Sequence, residues 1–317
     1  MTLVFALANV LFVCSGSGVA SASIANTYYT GKNVTWIIPW AAGGTTDVMG
    51  RKLASLVEKK LGCTFVILNT NGGGGLVGFN TIIAAGKDGY TIGSVSPSML
   101  LFKATGKADV SYDQADFLCT MATVPTALVV PADSPYKTLD DLIKYASSNP
   151  GALRYGNSGI GAIYHVVGES LARKVGVKFM AVPYNSGTEG ATAAAGKHVE
   201  FAICGVSEAT PLIDAGQLKP LCIFGTDHVN KYPDVKTTEE LGYKGLLGSW
   251  TGVAMPVDCP SEAREALMTA LKEVITSDEW VQYLDTIGNI AKFMSGEELA
   301  NFLDEQNRTF AEIMADA

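Results

Sequence analysis

Short apolar runs alternate along this chain with longer segments in which apolar residues recur every three or four positions. The first such segment places Leu53, Leu56 and Val57 on one helix face and ends at Gly62, a common helix stop. The predicted order is β-α-β-α-β, at residues 34–39, 47–61, 64–68, 76–85 and 90–96. This alternation is typical of an α/β protein with a mostly parallel sheet, whose ligands bind beyond the carboxyl ends of the strands.

The same alternation restarts after a proline-marked stretch at residues 125–135. Its predicted helices and strands lie at residues 138–149, 153–156, 163–175, 178–182, 199–204 and 218–224. A further strand at residues 250–255 and two terminal helices would complete the first unit, which makes that unit discontinuous in sequence. We therefore expect two lobes joined by two crossing strands, with lobe 1 at residues 25–122 and 229–317 and lobe 2 at residues 123–228.

The N-terminus has the features of an export signal. Residues 3–13 form an apolar run, and the triplet Ala20-Ser21-Ala22 is typical of a signal-peptidase site. We expect residues 1–22 to be a signal peptide and the mature protein to be periplasmic. The segment that ends at Cys14 also resembles a lipoprotein box, so lipid attachment at Cys14 is the alternative.

Composition argues against several classes of partner and cofactor. The formal net charge of −8 over 317 residues argues against nucleic acid, which favours basic patches. The three histidines are far apart in sequence, and no cysteine pair has the spacing of a zinc site, so we expect neither a metal nor a cofactor. Five cysteines follow the predicted signal peptide, an odd number, and two of them, Cys204 and Cys222, lie in apolar runs typical of buried thiols. We expect a monomer.

Three strand-to-helix loops combine glycines with hydroxyl or amide side chains. They read PWAAGGTTD from Pro39, YGNSGIGA from Tyr155 and VPYNSGT from Val182, and none contains Lys or Arg. A helix N-terminus offers unpaired N–H groups, so these loops predict a carboxylate held by backbone N–H groups and hydroxyls, at about 1.5–3 kcal/mol per charge-assisted bond. The candidate ligand-binding residues are Trp40, Ala41, Ala42, Gly43, Gly44, Thr45, Thr46, Asp47, Asn157, Ser158, Gly159, Gly161, Ala162, Tyr184, Asn185, Ser186 and Gly187.

Structural roles are the alternative for several of these residues. Glycine-rich turns occur in any α/β protein because tight turns require them. Asp47 also fits a residue that caps the following helix, and Trp40 also fits the core. His165, on the helix behind the second loop, fits a structural histidine.

The loops and their surroundings resemble the solute-binding proteins of tripartite tricarboxylate transporters, also called Bug-type extracytoplasmic receptors. The similar stretches are IIPWAAGGTTDVMGRKLA from Ile37, NGGGGLVGFNTI from Asn71, KDGYTIG from Lys87, RYGNSGIGAIYHVVGESL from Arg154 and VPYNSGTEGATAAAGKHVEFA from Val182. The resemblance implies a two-lobed, type II-like periplasmic-binding-protein (Venus flytrap) fold. It also implies that the lobes close on a small organic carboxylate, held by residues 41–46, 157–162 and 184–187, and deliver it to membrane permease subunits.

The chain departs from the family pattern in two places. Family members often carry Arg-Pro after the asparagine that matches Asn69, where this chain has Thr70-Asn71. They often carry an aspartate at the strand end where this chain reads Ile203-Cys204-Gly205. The resemblance therefore leaves the identity of the carboxylate open.

Three other functions fit parts of the pattern. A receptor of the same fold could report its ligand to a membrane sensor instead of feeding a permease. Residues 73–78 match the G-x-G-x-x-G pattern of an NAD-dependent enzyme, but the next strand has no Asp or Glu at its end to bind the ribose. Ser158 and His165 suggest a hydrolase, but the second glycine of a nucleophile elbow is missing. We expect no enzymatic activity.

Overall fold

The computed structural model describes residues 27–315, so the predicted signal peptide and Cys14 lie outside the described residues. The chain first forms β1 (Asn33–Ile38), α1 (Thr45–Leu61), β2 (Thr64–Asn69), α2 (Leu76–Ile83), β3 (Thr91–Val95), α3 (Ser98–Ala104) and β4 (Ala115–Val124). It continues as β5 (Thr126–Pro131), α4 (Leu139–Ser148), β6 (Arg154–Asn157), α5 (Ile163–Val175), β7 (Met180–Pro183), α6 (Gly187–Ala195), β8 (Phe201–Gly205), α7 (Val206–Asp214) and β9 (Leu218–Phe224). It ends with β10 (Ser249–Pro256), α8 (Ser261–Ile275), α9 (Asp278–Thr286), β11 (Ile290–Ala291) and α10 (Gly296–Ala315).

Local signals in the sequence set several helix ends. α1 ends at Gly62, whose left-handed conformation lets its N–H bond to the carbonyl of Glu58. α4 begins with Thr138 and Asp141, whose side chains each accept a hydrogen bond from the backbone N–H of the other. The predicted helix stop and the predicted capping pair are therefore confirmed.

Six strands form the first sheet, in the order β11-β4-β10-β3-β1-β2. β1 pairs in parallel with β2 and with β3, as the β-α-β-α-β order predicts. β10, from the C-terminal part of the chain, pairs antiparallel with β3 and β4. The C-terminal segment thus completes the first sheet.

Five strands form the second sheet, in the order β7-β6-β8-β5-β9. β6 is parallel to β7 and β8, whereas β5 is antiparallel to β8 and β9. Within residues 27–315, four of the six strands of the first sheet and four of the five strands of the second run in the same direction, so the predicted mostly parallel arrangement is confirmed, although each sheet also contains antiparallel strands. β5 and β10 enter their sheets from the other sheet and not through a helical crossover, which is the connection that makes neighbouring strands parallel.

The connection from β9 back to β10 packs against the second sheet. The N–H of Ile223 donates to the carbonyl of Lys236, and the Tyr243 hydroxyl donates to Asp140 of α4 at 2.7 Å. These contacts favour a later lobe boundary than the one expected after residue 228. We propose that lobe 2 extends to about Gly248, with Pro125 at the first crossing.

Apolar clusters cover the sheets and also join the two lobes. One cluster fills the first lobe around Trp36 and Trp280, and another fills the second lobe around Val129. A third cluster is continuous from Trp40 of the first lobe to Ile163 of the second. The lobes therefore contact each other in this structure. No helix within residues 27–315 is both long enough and apolar enough to span a bilayer.

Candidate functional site

The loop between β1 and α1 lies where the two lobes meet. Its last residues, Gly44 and Thr45, are buried, whereas Ala42 and Gly43 are exposed. A Cβ atom on Gly44 would lie 3.3 Å from the Cβ of Ser186 in the second lobe. The first turn of α1 therefore faces the opposite lobe at close range.

Asp47 holds the shape of this first loop. Its Oδ2 accepts a hydrogen bond from the N–H of Gly43 at 2.9 Å, and Arg51 Nε donates to its Oδ1 at 2.9 Å. Burial alone would raise the pKa of Asp47, but these bonds and one from Asn69 hold it below its ordinary value. The structural role weighed for Asp47 thus matches its contacts.

Hydrogen bonds cross from the first loop to the second lobe. Thr188 Oγ1 donates to the carbonyl of Gly43 at 3.0 Å, and Thr45 Oγ1 lies 2.7 Å from Ser207 Oγ. Because these bonds join separate lobes, the structure represents a closed arrangement of the lobes.

The loop between β6 and α5 is built around Asn157. The Asn157 side chain accepts from the N–H of Gly159 at 2.9 Å and donates to the carbonyl of Val182 at 3.3 Å. Asn157 is fully buried by these contacts. It therefore shapes the loop, while Ser158 and Gly159 line the cleft.

The loop between β7 and α6 presents Tyr184 and Asn185 to the cleft. Ser186 Oγ accepts from the N–H of Glu189 at 3.2 Å, which caps α6. The N–H of Asn185 donates to Glu189 Oε2 at 3.0 Å, and the carbonyl of Asn185 accepts from Ala41 of the first lobe at 3.3 Å. This loop also contacts both lobes.

A carboxylate of the protein itself lies between the lobes. Glu208, in the first turn of α7, is buried; its Oε2 accepts from the N–H of Gly205 at 2.8 Å and its Oε1 from the N–H of Thr45 at 3.3 Å. The Tyr164 hydroxyl and the N–H of Thr188 also bond to this carboxylate. Burial raises the pKa of Glu208, and these hydrogen bonds offset only part of the effect.

A glycine loop of the first lobe completes the mouth of the cleft. A Cβ atom on Gly159 would lie 3.0 Å from the Cα of Gly74, so the two backbones meet with no room for a side chain. Lys107 Nζ donates to the carbonyl of Ile160 across the same junction. Burial lowers the pKa of Lys107.

The cleft contains two spaces that share Trp40 and Ser158 as walls. The inner space has a volume of about 30 Å³ and is lined by hydroxyl groups, by Glu208 and by Trp250 of β10. The outer space has a volume of about 380 Å³, within the usual range for a small-molecule site, and includes Lys107 in its lining. The cleft is thus deep, polar and formed by both lobes.

The structure brings about half of the candidate residues to these spaces. Those that line one of them are Trp40, Gly44, Thr45, Thr46, Ser158, Gly159, Tyr184, Asn185 and Gly187. Those outside the lining of both are Ala41, Ala42, Gly43, Asp47, Asn157, Gly161, Ala162 and Ser186. Direct contact of any of them with a ligand stays a prediction.

Sequence reasoning missed several residues of the cleft. Glu208 is the third residue of α7 and accepts from the N–H of Gly205, but Gly205 has no side chain to complete a capping box, so the sequence carried no clear signal for it. Tyr164 follows the second loop directly, but neither Lys107 nor Trp250 belongs to any motif. Lys107 reaches the cleft through its contact with Ile160 of the second lobe, and Trp250 reaches it through the pairing of β10 with β4.

The remaining chemical candidates have structural roles. His165 Nδ1 accepts from the N–H of Gly161 at 3.2 Å, and burial lowers its pKa. Cys204 and Cys222 are buried free thiols, as predicted. Within residues 27–315 no group of three or more His, Cys, Asp or Glu side chains is placed to hold a metal.

Comparison with known proteins assigns the family. The model of the tripartite tricarboxylate transporter family receptor matches residues 49–316. The chain belongs to this family. A UPF0065 protein of Bordetella pertussis is 30% identical over 290 residues, which cover 90% of each chain. A UPF0065 protein of Cupriavidus necator is also 30% identical, over 85% of this chain and 82% of the relative.

Solved structures of similar proteins have the same fold. The periplasmic binding protein BugD has a TM-score of 0.85 and 25% identity, over 91% of this chain and 98% of its own. An R. palustris protein solved with adipate has a TM-score of 0.83 and 27% identity, over 90% of this chain and 97% of its own. The predicted family and the predicted two-lobed Venus flytrap fold are thereby confirmed. This receptor family consists of solute-binding proteins and not enzymes, so the NAD-dependent alternative is not supported.

Proposed function

We propose that this receptor captures a small organic carboxylate between its lobes and delivers it to the membrane permease subunits of a tripartite tricarboxylate-type transporter. The observation that carries the proposal is the outer space of about 380 Å³, to which both lobes contribute hydrogen-bond donors. Ser158, Tyr184 and Asn185 contribute side-chain donors, and Lys107 adds a positive charge at the mouth. Such donors favour an anion over a neutral ligand.

The acidic side chain at this space does not contradict a carboxylate ligand. Glu189 lines the space, but its Oε2 is bonded to the N–H of Asn185 at 3.0 Å. A ligand carboxylate can therefore bind to Ser158 and Lys107, which line the same space. The R. palustris relative was solved with adipate, which is a small organic carboxylate as well.

The export steps belong to the same proposal. We expect residues 1–22 to be removed and the mature protein to work in the periplasm as a monomer. The intact mass of the exported protein tests this directly, because lipid attachment at Cys14 would give a larger mass and a different N-terminus.

The ligand is tested by a thermal-shift screen of mono-, di- and tricarboxylates against the neutral amide of each acid. A ligand at 100 times its Kd stabilises the folded protein by about 2.7 kcal/mol, which is easily measured. We expect shifts with acids and none with fully neutral amides. Equal shifts with an acid and its neutral amide would contradict carboxylate recognition.

The transporter partner needs a separate measurement. Uptake of the identified acid into cells should require both this receptor and the permease genes. Uptake that continues without the permease, while ligand still triggers a transcriptional response, would favour the sensing role instead.

A further inference from the structure

Glu208 has an unusual position for a charged side chain. Its carboxylate lies where helix N-termini of both lobes converge, with Thr45 N–H at 3.3 Å from one lobe and Gly205 N–H at 2.8 Å from the other. The Tyr164 hydroxyl and the N–H of Thr188 complete the set of donors. These are the groups that hold carboxylates elsewhere in proteins, and here a side chain of the receptor occupies them.

Burial raises the pKa of Glu208, but its four hydrogen bonds all favour the ionised form, and no cation balances that charge within the described part of the chain. None of the ion pairs found among residues 27–315 includes Glu208. The basic side chain nearest in sequence to Thr45, Arg51, is bonded to Asp47 and Asn69 instead. A second anion placed beside Glu208 would therefore meet an uncompensated like charge.

We propose that Glu208 is a specificity-determining residue, which excludes a second carboxylate from the inner space and selects a monocarboxylate whose other end is uncharged, such as an amide. The proposal rests on the proposed function, since it assigns the acid end of the ligand to the outer space. Glu208 then takes the place of the second carboxylate that a diacid would bring.

The inner space fits the uncharged end of such a ligand. Its volume of about 30 Å³ exceeds the roughly 10–15 Å³ that one water needs, so a small terminal group fits and a larger one does not. The Glu208 carboxylate already accepts four hydrogen bonds, the usual capacity of its two oxygens, so it presents the ligand with a negative charge and not with a free acceptor. Trp250, another wall of this space, has a buried Nε1–H without a hydrogen-bond partner, and the amide oxygen is an acceptor of the kind it lacks.

The size of the discrimination follows from the charges. Two like charges about 6 Å apart at an effective dielectric constant near 20 repel strongly enough to weaken binding by roughly 100-fold. A diacid should therefore bind about 100-fold more weakly than its own monoamide, although the two have almost the same shape.

Isothermal titration calorimetry at neutral pH tests this with two matched series of probes. One series contains the linear diacids from succinate to suberate, and the other contains their monoamides. We expect the best monoamide to bind wild-type protein about 100-fold more tightly than the diacid of the same length. Diacids that bind as tightly as their monoamides would overturn the role of Glu208 and leave carboxylate capture standing. If neither series binds, while neutral amides or other solutes do, the proposed function fails and this inference fails with it.

Two variants separate the charge from the shape of Glu208. Glu208→Ala frees the N–H donors, so diacids should gain affinity. The preference for monoamides over diacids should then become a preference for diacids. Glu208→Gln keeps the size without the charge, so the preference should fall to within about tenfold. Asp141→Asn is the control, because the Asp141 carboxylate also accepts from the N–H of the residue before its helix, but it is exposed and lines neither space of the cleft. A preference that is unchanged in Glu208→Gln, with the fold intact by circular dichroism, would overturn the proposal.

Discussion

Replacement of Gly74 by alanine should weaken ligand binding through a contact that exists only when the lobes are closed. The new Cβ atom would lie 3.1 Å from the carbonyl oxygen of Ile160 and 3.2 Å from the Cβ of Ala162, both in the second lobe. These distances are shorter than ordinary van der Waals contacts, and overpacking of this kind costs about 1–3 kcal/mol. Because the cost falls on the closed state alone, it should weaken binding by roughly 5- to 150-fold.

The backbone at Gly74 adds a second effect that needs its own control. Gly74 has φ +65°, a conformation that costs an alanine about 1–2 kcal/mol in the open and closed states alike. Gly31 has φ +71° and would place a Cβ atom with no neighbour within 4 Å. Gly31→Ala should therefore share the loss of stability in urea denaturation but bind ligand normally.

Calorimetry with the tightest-binding acid of the screen compares the Kd values of wild type, Gly74→Ala and Gly31→Ala. Small-angle scattering reports the closure of the lobes. We expect Gly74→Ala alone to lose affinity and to compact less when ligand is added. If Gly74→Ala and Gly31→Ala bind the acid with the wild-type Kd, the lobes do not meet at Gly74 in the liganded protein, and the closed cleft of this structure is not the binding state.

Two further predictions follow from single side chains. Arg51→Ala should weaken ligand binding less than about fivefold. Arg51 is half-exposed and supports Asp47 instead of facing the cleft, and such ion pairs contribute about 0.2–1 kcal/mol. Abolished binding in calorimetry would instead mean that Arg51 holds the ligand. Burial lowers the pKa of His165 in the folded protein, so as the pH falls below about 6.5 the unfolded state takes up a proton at this residue before the folded state does. The free energy of unfolding should therefore fall by at most about 1.4 kcal/mol per pH unit. Urea denaturation between pH 7.5 and 5 should show this slope in wild type, whereas His165→Asn, which keeps an acceptor for the N–H of Gly161, should lack it; equal slopes would rule out His165 as the cause.

Local sequence signals determined the elements that carry the cleft. The predicted helix at residues 163–175 coincides with α5, and the glycine- and hydroxyl-rich loops before α1, α5 and α6 all reach the boundary between the lobes. Helix periodicity, capping residues and turn glycines act over a few residues, so one sequence is enough to read them. The same motifs supported the family and the two-lobed fold, which the comparisons confirmed.

Tertiary structure decided which side chains of those loops face the cleft and what else joins them. Thr45 and Glu208 share a hydrogen bond across 163 residues of sequence, and Trp250 reaches the same space from a strand that lies on the first sheet. The mixed pairing of both sheets likewise depends on where the crossing strands β5 and β10 dock. No local period or spacing in the sequence signals any of these arrangements, because they arise from pairing between distant segments and from closure of the lobes. The sequence therefore determined which loops meet between the lobes, whereas the fold placed a buried carboxylate among them.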